Sequence, residues 1–74
     1  MDEKIKNQMQ KIGRVIKSRR IEKGRKQVEL AESVGISIPV VGYMEKATHA
    51  TKIDSLLSVC NELGLNVEVT KNDL

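Results

Sequence analysis

Ten of the thirteen lysines and arginines lie within residues 1–27: Lys4, Lys6, Lys11, Arg14, Lys17, Arg19, Arg20, Lys23, Arg25 and Lys26. They stand against three acids, whereas residues 28–74 hold three bases and seven acids, so a segment of charge +7 precedes one of −4. Ammonium and guanidinium groups at that density attract a polyanion. The plainer alternative is a solvated helix face with no partner. Immediately after the cluster the chain reads Gln27-Val28-Glu29-Leu30-Ala31, then Gly35-Ile36-Ser37, then Val41-Gly42-Tyr43-Met44-Glu45. These are two short helical patterns hinged at one glycine, the spacing of a helix-turn-helix, whose second helix is presented outward as a probe for a DNA major groove. Beside such a unit, the basic cluster reads as phosphate-contacting.

Other chemistry finds little support. His49 is the single histidine and has no second metal-type ligand nearby in sequence, so no metal site is expected. Cys60 falls on an apolar stripe, where small buried cysteines are common. Serines and acids form no catalytic constellation and no glycine-rich phosphate loop is present, so neither an enzyme nor a cofactor is expected.

Four helices must position the unit. Ile5, Met9, Ile12 and Ile16 line one face of a first helix from about residue 2 or 3 to about residue 23, with residues 1–11 as its amino-terminal extension. Gly13 in its middle costs about 1 kcal/mol relative to alanine, which points to close packing against another helix or to a weak point. Gly24 ends it. The second helix spans about residues 27–34, burying Val28, Leu30 or Ala31, and Val34; Lys26 is a poor cap that leaves amide donors open. Gly35 suits the left-handed end of that helix, and Ser37 stands where the third helix needs a capping oxygen. Pro39 is tolerated in the first turn of this third helix, while Val41 and Met44 point inward. Thr51 with Asp54 suggests a cap for a fourth helix with the stripe Ile53, Leu56, Leu57, Cys60 and Leu63, closed by Gly64. Leu65, Val67 and Val69 then alternate with polar residues, the period of a strand over residues 65–70. With no other strand in the chain, that segment is expected to pair with its copy across a two-fold axis, the alternative being an extended tail lying on its own core.

At 74 residues the chain makes one domain, residues 1–74, near the lower limit for a self-sufficient core, so help from a second subunit is plausible. A single cysteine forbids an internal disulfide, and no run approaches the roughly 20 apolar residues of a membrane span. No signal-peptide layout is present, and a cytoplasmic protein with no membrane partner is expected.

With those residues in view, the sequence resembles the lambda-repressor-like helix-turn-helix proteins, the group that includes phage repressors and the Xre-family regulators. The resemblance covers about Ile12 to Val69 and rests on Arg20, Gly24, Gln27, Glu29-Leu30-Ala31, Gly35-Ile36-Ser37, Val41, Glu45 and Leu63-Gly64. Its strand-like carboxyl end looks more like the small HipB-type antitoxins, which dimerise partly through such strands. The resemblance implies an all-α, four-helix DNA-binding domain with a short carboxyl-terminal β-strand pairing across a dimer through Leu65, Val67 and Val69. It further implies that Gln27 bonds a phosphate and orients the recognition helix, that Arg20 and Glu45 form a partly buried structural ion pair, and that the loop carrying His49 approaches the sugar-phosphate backbone.

The positions that usually read bases hold Ile38, Pro39 and Tyr43, with Val40 and Gly42 beside them, where the family commonly has Gln, Arg, Asn or Ser. Bidentate base contacts, each worth about 1–3 kcal/mol of discrimination, are unavailable from Ile and Pro. The helix can read thymine methyls through Ile38 and Pro39, with the Tyr43 hydroxyl and Ser37 making polar contacts and DNA shape supplying the rest; its apolar face can dock a protein; or Ile38 and Val40 can simply pack on the fold. We take the first reading. The expected DNA-contacting set is Arg25, Lys26, Gln27, Ser37, Ile38, Pro39, Val40, Tyr43, Lys46 and His49. The expected function is a dimeric transcriptional repressor of a palindromic operator, and the HipB likeness implies a toxin-antitoxin operon with a cognate toxin. The rival is a protein-interaction module of the same fold that binds a toxin or regulator without DNA.

Overall fold

The computed structural model describes residues 2–72; Met1, Asp73 and Leu74, the ends of the expected single domain, lie outside the described residues. Four helices follow in order: α1 (Glu3–Glu22), α2 (Gln27–Val34), α3 (Ile38–Lys46) and α4 (Ile53–Glu62). Each boundary has a local cause. Asp2 caps α1, its Oδ1 accepting the Lys4 amide at 2.8 Å and the Ile5 amide at 3.3 Å. Lys26 has no acceptor with which to cap α2, and the Glu29 carboxylate instead reaches back to the Lys26 amide at 2.8 Å. Gly35, at φ 73°, turns the chain out of α2 while the Ile36 amide donates to the Ala31 carbonyl at 3.1 Å.

Two expected caps are not used. Ser37 precedes α3 without a side-chain cap bond. An N-cap oxygen serves the second or third helical amide; here the second belongs to Pro39, which has no N–H, and the third, Val40, donates to the Ser37 carbonyl at 3.2 Å. Thr51 lies one residue too early for α4, which follows Lys52, and the Asp54 carboxylate accepts the Ser55 amide.

The core joins Ile16 from α1, Leu30 and Ala31 from α2, Val41 and Met44 from α3, and Val59, Cys60 and Leu63 from α4 and its end. Val34, Ile36, Val40, Leu56 and Leu65 pack around it. The stripe expected on α4 is turned: Leu56, Val59, Cys60 and Leu63 face inward, whereas Ile53 is 67% exposed and Leu57 is on the surface. Val28 is likewise exposed, because α2 offers Leu30 and Ala31 to α3 and α4. On α1 only Gly13 and Ile16 are fully buried, and Ile5 and Ile12 remain at the surface. At about 1.5 Å per residue the 20-residue α1 is about 30 Å long and accounts for the elongated 41 × 24 × 20 Å outline.

The expected strand is not formed. Among the described residues there is no β-ladder, and the chain after Gly64 runs without regular structure, Leu65 half-buried, Val67 exposed and Val69 98% exposed. An extended segment needs a neighbouring strand to satisfy its amides, and every regular element among the described residues is helical.

Candidate nucleic-acid interface

One carboxylate organises the centre of the molecule. The Glu45 side chain, 1% exposed, accepts Arg20 Nε at 2.6 Å and Nη2 at 3.1 Å, and Gln27 Nε2 at 3.0 Å. Arg20 Nη1 also donates to the Arg25 carbonyl at 2.8 Å. Hydrogen bonding to Glu45 pushes the Arg20 guanidinium further up, with charge attraction to the same carboxylate adding to it and desolvation opposing. The end of α1, the start of α2 and the last turn of α3 are thereby held in one frame. Gly13 completes it: a Cβ there would lie 2.4 Å from the Met44 carbonyl oxygen, so α1 and α3 meet backbone to backbone.

With its inner face and carboxyl end fixed in this way, α3 turns Ile38, Pro39 and Lys46 outward and leaves Gly42 and Tyr43 half-exposed between them. Ile38 keeps 46% of its surface. Val40 stands partly against the core, which limits what it can offer a base edge. The loop after α3 folds back onto this surface, placing the His49 ring 4.1 Å from that of Tyr43 at 39°, with His49 Nδ1 3.2 Å from Thr48 Oγ1. Lys26 supplies no side-chain cap, so the first-turn amides of α2 are left to an outside acceptor at its positive dipole end, whereas in α3 the Pro39 position has no N–H and the Val40 amide is taken by the Ser37 carbonyl.

The expected contact residues separate on this geometry. Lys26, Ser37, Ile38, Pro39, Lys46 and His49 are exposed. Gln27 is occupied by Glu45, which orients it at the start of α2. Arg25 is drawn into the fold instead: its Nη1 pairs with Glu62 at 2.9 Å at the end of α4, and its Nη2 bonds Ser33 Oγ. Arg19 is tied to Glu22 at 2.9 Å and to the Leu63 carbonyl at 2.9 Å. Arg19, Arg20 and Arg25 thus serve the fold, and the free positive surface is mostly lysine. Among the described residues no cluster of three or more His, Cys, Asp or Glu converges, and Cys60 is buried, where desolvation pushes its thiol up.

The sequence profile of the Helix-turn-helix family matches residues 16–69. The chain belongs to this Xre-like, lambda-repressor-like family. It is a family of DNA-binding regulatory domains. No curated protein and no solved structure matches the chain significantly. The matched span contains all of α2, α3 and α4 but only the second part of α1. Among the described residues no helix is long and apolar enough to cross a membrane.

Proposed function

We propose that this helix-turn-helix chain is a sequence-specific repressor that binds a palindromic operator as a homodimer, α3 entering the major groove of each half-site about one helical turn apart. The observation that carries the reading is the Glu45 frame: it fixes α3 from within and leaves the Ile38, Pro39, Tyr43 and Lys46 side open. Ile38 and Pro39 meet thymine methyls, Tyr43 and Ser37 supply the polar contacts, and Lys26, Lys46, His49 and the first-turn amides of α2 meet phosphates. Two such subunits associate through apolar surface on α1 and the carboxyl-terminal segment. Ile12, Val15, Leu56, Leu65 and Val67 line a groove of about 350 Å³ there, and exposed Val69 follows it. Residues 65–70, which form no ladder within one chain, acquire one from the second copy through Leu65, Val67 and Val69. The same layout fits a repressor of its own operon and the antitoxin of a toxin-antitoxin pair, acting in the cytoplasm.

Gel shifts on the DNA upstream of the gene test the reading. Lys26→Ala and Tyr43→Ala should weaken the shifted complex, and replacing thymine by uracil within each half-site should weaken it at the positions that Ile38 and Pro39 touch. Arg25→Ala should leave the salt dependence of binding unchanged. Unaltered affinity at every uracil position would refute methyl reading, and absence of any complex would favour the rival, a protein-binding module using the exposed Ile38 and Pro39.

A further inference from the structure

The larger, amino-terminal part of α1, residues 3–15, precedes the segment that the family profile covers. Its placement is dictated by Gly13, whose missing side chain lets the helix lie directly on the Met44 and Glu45 carbonyls. Glu3, Lys6 and Gln10 lie upstream at spacings of three and four, so they share the face of α1 that Gly13 turns toward α3. They line, with Lys46, Ala47 and Thr48, a cleft of about 530 Å³ at the end of α3. Lys6 and Lys46 are exposed, and neither is engaged by an acid among the described residues. The first-turn amides at Lys4 and Ile5 are taken by Asp2, so the cleft acts through its side chains: two ammonium groups, an amide and a hydroxyl. That donor set fits a singly charged phosphodiester.

We propose that this cleft is a second phosphate-binding site, clasping the DNA backbone with Lys6 and Gln10 from α1 and Lys46 and Thr48 from the end of α3. It rests on the DNA-binding reading above and extends its footprint. Lys46 follows Tyr43 by three residues on the open side of α3, and the Thr48–His49 loop stacks on the Tyr43 ring, so the cleft is continuous with the surface offered to the groove. From Arg20, beside the start of α2, to Lys6 the helix runs about 21 Å. The cleft thus lies well away from the start of α2, so its contact adds to those made at Lys26. The Glu3 carboxylate, which lines the same cleft, opposes the ligand, and its charge limits the affinity.

The test uses the full chain and a fluorescein-labelled duplex of mixed sequence, read by anisotropy across a salt series. Removing one phosphate interaction lowers the log–log salt slope by about 0.9, so the affinity ratio between 50 and 200 mM salt should shrink about 3.5-fold per subunit in Lys6→Ala. Glu3→Gln should bind more tightly than wild type at low salt. Both positions are exposed, and unchanged thermal melts confirm that the variants fold. Wild-type slope and affinity in Lys6→Ala, with Lys26→Ala weakened, would overturn the second site alone. A wild-type chain that binds no duplex at low salt would overturn the DNA-binding reading itself.

Discussion

Replacing Gly13 by alanine pits helix propensity against packing, and the geometry decides the sign. In an exposed helix interior the change would stabilise by about 1 kcal/mol, because glycine loses more backbone freedom on folding. Here the new methyl would sit 2.4 Å from the Met44 carbonyl oxygen, 2.6 Å from that of Glu45 and 2.9 Å from the Glu45 carbonyl carbon. Comfortable carbon contacts begin near 3.5 Å, so α1 and α3 would have to part by about 1 Å, and all three obstructing atoms are backbone. Overpacking of this kind costs about 1–3 kcal/mol, and parting the helices also strains the Arg20–Glu45 hydrogen bonds. Less the propensity gained, and with that strain on the ion pair added, the net loss is about 1–2 kcal/mol, or a Tm lowered by about 4–16 °C in a domain of this size. Gly42 supplies the control. It lies in α3 with nothing within 4 Å of its ideal Cβ, so Gly42→Ala should raise Tm, by up to about 1 kcal/mol of added stability. Thermal and urea unfolding followed by far-ultraviolet circular dichroism read both. A Gly13→Ala chain as stable as wild type, or more so, would refute the close approach on which the position of α1 depends.

Two further outcomes follow from the buried groups. Glu45→Leu removes the partner of Arg20 and Gln27 and should cost about 3–5 kcal/mol, while the double variant Arg20→Met/Glu45→Leu should recover much of that loss, since the stranded charge is then gone; a urea double-mutant cycle with no coupling would contradict the frame. Burial pushes the Cys60 thiol up, so the native state keeps its proton to higher pH than the unfolded chain. This contribution is fully present below the unfolded thiol's pKa of about 8.5 and is lost as pH rises through the raised native value. The urea midpoint should accordingly decline in alkaline solution, and Cys60→Ala should make the decline shallower; equal slopes would show that the thiol is not desolvated.

Punctuation residues made the helices legible in the sequence, because they act within a few residues of themselves. Gly24, Gly35 and Gly64 all adopt positive φ at helix ends, and α2 runs over the span that Lys26 and Gly35 bracket. The Arg20–Glu45 pair was legible only through family resemblance, since 25 residues separate its members. Nothing local signals that Arg25 reaches Glu62, 37 residues away, instead of facing solvent, so counting charges overstated the positive surface available to a ligand. The stripe on α4 misled for a related reason. Periodicity admits neighbouring faces, and which one is buried depends on where Ile16 and Leu30 arrive, so Val59 is inside and Ile53 outside. Alternation after Gly64 reports that one side is apolar, but a strand also requires a partner, and the described residues of a single chain hold none.

Gly13 shows how a local sequence cost acquires a distant purpose. Its missing side chain brings α1 onto the last turn of α3, and that contact sets two features at once: Arg20 reaches Glu45 about two turns downstream, and Lys6 and Gln10 come alongside Lys46 upstream. The same glycine therefore fixes the frame that holds α3 and the cleft at its end. Separating the helices should disturb both together, whereas substitutions at Lys6 or Glu3, which stand in solvent, should alter the cleft and leave stability untouched.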